Sequence, residues 1–250
     1  MNAFLLVIQL FTKIPVHKEI RFDEEQFRKS IVFFPVAGFL IGGLQAGAAT
    51  AANLIFSKEI SILLSMGVVM FLTGALHLDG LADTMDGILS ARKREQMLTI
   101  MKDSRIGTHG VLALVFSILL KYLLLTEVDD ALLLPVLVTL PIVGRTAMAM
   151  MLWGSRYART EGLGNLFIGK TLPRDSFSAA LAGAILIYVF TGVNGILSLI
   201  LVLGCSLLFR RHLYKVLGGL TGDTLGAINE LSELIYIPLI ILLSEGGALI

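Results

Sequence analysis

Apolar runs of about 17–25 residues recur along this chain, each separated from the next by a short polar segment. That length, with almost no charge inside the runs, predicts membrane-crossing helices. Seven such segments lie near Ile31–Ile55, Ile60–Leu76, Gly110–Leu125, Ala131–Trp153, Phe177–Thr191, Val193–Phe209 and Leu234–Ile250. Only Gly192-Val193-Asn194, the chemistry of a tight turn, divides the fifth from the sixth. The N-terminal run to Phe11 is too short to span, and it lacks a basic start and a small-residue cleavage site. It reads as an interfacial or re-entrant helix packed on the bundle. The predicted fold class is therefore all-α, a polytopic integral membrane bundle of about seven transmembrane helices plus a short N-terminal helix, forming one domain over 1–250.

Composition agrees. The chain is 56% hydrophobic and 16% charged with mean hydropathy +0.84, whereas soluble domains carry about a quarter charged residues. The net charge of +1 says little, but the placement of charge says more. All Lys and Arg except Lys58, Lys121 and Arg145 fall in four segments: the first thirty residues, 77–109, 154–176 and 209–229. With seven spans these four lie on one side, which the positive-inside rule makes cytoplasmic, with the N-terminus inside. The other side holds Lys58 with Glu59, Glu127, Asp129 and Asp130. Cys205 stands alone in an apolar run, so no intrachain disulfide forms, and it reads as a packing residue. Gly38, Gly42, Gly43 and Gly47 predict close helix contacts.

Every unusual polar motif falls on the predicted cytoplasmic side. His77-Leu78-Asp79-Gly80-Leu81-Ala82-Asp83-Thr84-Met85-Asp86-Gly87 sets three carboxylates at i, i+4 and i+7, within about 60° of helical arc. Like charges so placed beside a bilayer are costly unless a cation joins them, which points to a metal site. Gly80 and Gly87 are expected to thin the side chains there and let a ligand approach the backbone. Met101-Lys102-Asp103-Ser104-Arg105-Ile106-Gly107-Thr108-His109-Gly110 combines basic, hydroxyl and glycine residues suited to an anion, with backbone N–H groups free for phosphate oxygens. Gly218 to Ala227, with Thr221, Gly222 and Asp223, continues to Asn229, Glu230 and Glu233. Asp223, Glu230 and Glu233 share about 80° of arc, a second acidic face for Mg²⁺ or Mn²⁺. Arg145, near the middle of the fourth span, needs a carboxylate or phosphate partner. Arg159-Thr160-Glu161-Gly162-Leu163-Gly164 is a short loop able to hold an anion.

Acid-bound divalent metal facing basic, glycine-rich loops supplies the parts for transfer of a phosphoryl-type group. No paired Cys or His metal spacing, Walker-type loop or Ser-His-Asp pattern accompanies it, and no nucleic-acid partner is expected. Asp83-x-x-Asp86-Gly87-x-x-x-Ala91-Arg92 resembles the CDP-alcohol phosphotransferase signature, but has one extra residue before Ala-Arg and no matching continuation. A lipid enzyme of that kind is one alternative. A cation-coupled transporter is another, although the acids crowd one rim rather than the midplane and no internal repeat is visible.

A fuller resemblance runs from about residue 5 to 235. His77 to Gly87, Ile100 to Gly107 and Gly219-x-Thr221-Gly222-Asp223-Thr224-x-Gly226-Ala227, with Thr12-Lys13-Ile14-Pro15, Phe34-Pro35, Gly144-Arg145 and Gly162-Leu163-Gly164, together resemble the cobalamin synthase (adenosylcobinamide-GDP ribazoletransferase) family. His109 stands where that family carries an aromatic residue. The resemblance implies a Mg²⁺-dependent membrane transferase acting on adenosylcobinamide-GDP and α-ribazole or its 5′-phosphate, with release of GMP. It implies Mg²⁺ at Asp79, Asp83 and Asp86, with a second cluster at Asp223, Glu230 and Glu233. Asp83, Asp86 or Asp103 would act in catalysis. Lys102, Arg105, Arg145, Arg159, Gly107, Thr221 and Gly222 would bind substrate or phosphate. The setting would be a bacterial or archaeal inner membrane with the active face cytoplasmic, and a homo-oligomer is allowed.

Overall fold

The computed structural model describes residues 2–18 and 24–245. Its elements are all helical: α1 (Asn2–Phe11), α2 (Glu24–Ser30), α3 (Phe34–Asn53), α4 (Lys58–Thr73), α5 (Leu76–Leu89), α6 (Arg94–Ile100), α7 (Thr108–Glu127), α8 (Asp130–Leu152), α9 (Pro173–Leu217) and α10 (Gly222–Glu245). Five of the described helices are long and apolar enough to cross a membrane, and α4 with α5 reaches that length only as a bent pair, the form of a broken span or a re-entrant loop. Leu112, Phe116 and Leu119 of α7 and Leu181, Ile185 and Val189 of α9 point outward. Such a continuous apolar exterior is unstable in water and suits lipid. This is a multi-pass, all-α membrane protein.

The central helix is α8, packed on α3, α9 and α10. From Val136 to Ala149 its side chains are buried almost without interruption. Gly38 and Gly42 let α3 touch it backbone to backbone. A Cβ at Gly38 would lie 2.5 Å from the Pro141 carbonyl, and one at Gly42 would collide with that of Val138. Gly43 and Gly47 meet nothing. The predicted close contact therefore belongs to half of the glycine stripe.

The predicted turn at Gly192 is present, with φ 61° and ψ −150°, a conformation essentially confined to glycine. A straight helix of 45 residues would hold its ends about 67 Å apart. Instead both ends of α9 meet the 154–172 connection. Asp175 bonds the Leu172 N–H, while Arg94 reaches from the Leu217 carbonyl to that of Ala158. The helix thus folds back into two limbs, 173–191 and 193–217, which correspond to two of the predicted spans.

Two boundaries differ from the sequence reading. The predicted span Ile60–Leu76 stops at Thr73, where Gly74 and Ala75 both turn left-handed. The acidic segment then leaves as α5, bent by 86° from α4. Lys13 braces the corner, its N–H bonding the Leu72 carbonyl and its stem lying over Gly74. The last span begins at Gly222, well before Leu234, because Thr221 and Thr224 cap the helix reciprocally. Arg21 and residues 246–250 of the predicted last span lie outside the described residues. The N-terminal helix α1 packs into the core through Leu6, Val7 and Phe11.

Candidate active site

The site forms where α5 meets the start of α10. Gly80 and Gly226 face each other so closely that a Cβ on Gly80 would lie 2.7 Å from the Asp223 carbonyl and 3.2 Å from the Gly226 Cα. Gly80 therefore serves helix packing, not the ligand approach expected of it. Gly87 does the same against Met97 and Met101. The contact sets Asp79 and Asp83 of α5 beside Asp223 of α10, near enough that the three carboxylates repel one another. Arg159 is the cation among them, its Nη2 2.6 Å from Asp223 Oδ2.

Asp79 borders two clefts. One, of ≈ 440 Å³, is lined by Asp79, Asp83, Lys102, Asp103 and Ser104. The other, of ≈ 260 Å³, runs between α1, α10 and the 154–172 connection, and is lined by His77, Asp79, Tyr157, Arg159 and Gly222 among others. Burial deepens along α5: Asp79 is exposed, Asp83 half-buried and Asp86 buried.

Asp86 has a different employment from the metal or catalytic one the motif implied. It accepts the backbone N–H of Gly107 at 2.7 Å and that of Gly110 at 2.8 Å. The donors that the sequence suggested for phosphate are thus spent on Asp86, which fixes the 101–107 loop and the start of α7. A Cβ at Gly110 would lie 2.5 Å from Asp86 Oδ2, so the close approach requires glycine.

Asp103 is tied to Arg105 by bonds of 2.8 and 3.1 Å. That guanidinium holds its carboxyl down at about 2, which makes Asp103 a poor proton acceptor near neutrality. Lys102 lines the larger cleft, and no carboxylate pairs with it among the described residues. Thr221 is fully buried and spends its hydroxyl on the α10 cap and on Asp223. Gly222 stands open on the smaller cleft, where a Cβ would meet nothing.

Glu230 and Glu233 do not join Asp223. About two turns and more down α10 they receive Lys121 Nζ at 2.8 and 2.9 Å. Arg145, 1% exposed, lies 3.5 Å from Glu233, and Asn229 bonds both glutamates. Two cations balance two anions there, so neither a metal at these glutamates nor a phosphate at Arg145 is needed. The sequence signal for Lys121 was a lysine inside an apolar span, which demands a buried partner. Tyr157 and Arg94 had no sequence signal, because their roles arise from the path of the 154–172 connection. Among the described residues, no three Asp, Glu, His or Cys side chains gather closely enough to hold a metal by themselves.

Fold and site together define a multi-pass membrane protein with a carboxylate-rich centre flanked by cationic loops. The family model for cobalamin-5-phosphate synthase matches residues 3–241. An adenosylcobinamide-GDP ribazoletransferase of Alkaliphilus metalliredigens is 40% identical, over 99% of this chain and 98% of its own length. Proteins of the same description from Clostridium novyi (38%, over 94% and 95%) and Escherichia coli (39%, over 94% and 98%) are also similar. No solved structure matches. The chain belongs to the cobalamin-5-phosphate synthase family.

Proposed function

We infer that this protein is an adenosylcobinamide-GDP ribazoletransferase, a membrane enzyme of cobalamin nucleotide-loop assembly. The family membership and full-length similarity carry that activity. The observation that carries the site is the meeting of Asp79, Asp83 and Asp223 at the Gly80–Gly226 contact, between two clefts.

The acceptor is α-ribazole or its 5′-phosphate. Its ribose 3′-hydroxyl attacks the phosphorus bearing the aminopropanol arm of the donor and gives its proton to the Asp83 carboxylate; an O–P bond forms as the anhydride bond to GMP breaks in line, and GMP leaves with the bridging oxygen. Lys102 and Arg159 border the two clefts and neutralise phosphate charge as the leaving group departs. Asp86 keeps the 101–107 loop in place.

Asp79, Asp83 and Asp223 are hard oxygen donors that repel one another, a donor set suited to Mg²⁺. Asp79, Asp83 and Asp223 would hold the ion, which would supply charge neutralisation at the non-bridging oxygens. The placement of Lys and Arg favours a cytoplasmic active face with the N-terminus inside.

The test is GMP release by protein reconstituted in liposomes, given both substrates and Mg²⁺, alongside Asp83→Asn. Release should require both substrates and Mg²⁺ and fall by about 10²-fold or more in the variant. In sided membrane vesicles it should occur with substrates on the cytoplasmic face. Turnover of CDP-activated lipid instead would replace this reading with the lipid-enzyme alternative.

A further inference from the structure

The two clefts at Asp79 differ in chemistry, and the reaction has two dissimilar substrates. The ≈ 260 Å³ cleft is walled by Phe11, Tyr157, Phe167, Met148 and Leu225. Beside Asp79 and Asp223 on the same cleft stand two nitrogen atoms, His77 Nε2 and Arg159 Nε, both buried and without a hydrogen-bond partner. Buried polar atoms are nearly always satisfied, so two orphans on one cleft wall call for a ligand that supplies their partners. Gly222 leaves the same wall bare, and a Cβ there would meet no atom within 4 Å.

Aromatic walls and an unobstructed glycine suit a flat ring system, while Asp79, Asp223, Arg159 and His77 on the same cleft suit the hydroxyl groups of a sugar attached to it. The neighbouring ≈ 440 Å³ cleft has aliphatic walls such as Leu78, Ile106 and Ile118 but no aromatic side chain, and it adds Asp83, Lys102, Asp103 and Ser104.

Resting on the function proposed above, we infer that the smaller cleft seats the nucleoside acceptor, its benzimidazole-type base lying between Phe11, Tyr157 and Phe167. The larger cleft takes the diphosphate of the donor. The guanine of the donor is the competing occupant, and the kinetics of the two substrates separate it from the acceptor base. The corrin macrocycle is too large for the space. Because Asp79 borders both clefts, the assignment brings the acceptor ribose and the donor diphosphate to the same carboxylates.

Gly222→Phe fills this cleft from its open side, and Tyr157→Leu removes an aromatic wall without touching α10. Both are assayed in liposomes with Mg²⁺, varying each substrate separately, with thermal unfolding as the check on folding. Each should raise KM for α-ribazole 5′-phosphate by about tenfold or more, leaving KM for adenosylcobinamide-GDP within about twofold. Should Gly222→Phe not fold, Tyr157→Leu decides alone. A rise in the donor's KM with the acceptor's unmoved would overturn the assignment and put guanine in the cleft. No change in either would also overturn it. If the wild-type protein shows no turnover, the reaction is wrong and equilibrium dialysis of α-ribazole decides the cleft separately. Retention by the wild type but not the variants upholds the cleft, and equal or absent retention overturns it.

Discussion

Asp79, Asp83 and Asp86 are one motif in sequence and three different residues in space. Asp79 borders both clefts, Asp83 borders one, and Asp86 is turned toward Gly107 and Gly110. Hydrogen bonds to a charged acceptor contribute about 1.5–3 kcal/mol each. Asp86→Ala should therefore lower unfolding free energy in detergent by about 2–4 kcal/mol and expose the 101–107 loop to protease, both measurable without substrate. Asp103 offers a test by pH. Arg105 holds its folded value at about 2, below the ordinary value of about 3.9. The contribution of this pair is thus present above about pH 4 and lost as pH falls toward 2. Asp103→Asn should leave the shape of the kcat/KM profile from about pH 5 to 8 unaltered. A displaced acid limb would show that Asp103 takes a proton in turnover.

At the scale of elements, glycine decides which helices meet. Gly80 lies against α10 and Gly42 against α8, while Gly43 faces open space. Gly80→Leu should cost about 1–3 kcal/mol through overpacking and abolish GMP release by pushing Asp223 away from Asp83. Gly43→Leu should be silent in both thermal unfolding and turnover. The sequence made the spans legible, because a bilayer demands about 20 apolar residues wherever a helix crosses it. It made the Gly192 turn legible too, since the division between limbs has a local signature. The break at Gly74-Ala75 was not legible. Apolar character continues through it, and Lys13, which packs on the 86° corner, comes from a distant part of the chain.

Across the whole molecule, the buried charges of α7, α8 and α10 form a neutral cluster that ties three helices together. Lys121→Met leaves Glu230 and Glu233 with Arg145 alone and should destabilise the bundle by about 3–5 kcal/mol. Adding Glu230→Gln restores neutrality, so the double variant should recover most of the loss in a thermal-unfolding measurement. If the two changes instead add, the cluster is not a charge-balanced unit.

By itself the sequence determined the membrane class, the approximate spans and the family. These follow from local length, hydropathy and residue order. Tertiary structure decided the partner of each charge. Helical periodicity set Asp223, Glu230 and Glu233 on one face, yet α10 passes Arg159 near its start and Lys121 farther down. The face is therefore divided between an open site and a closed ion cluster. A charge in low dielectric is governed by what lies within a few ångströms of it, and those neighbours are fixed only when distant helices pack.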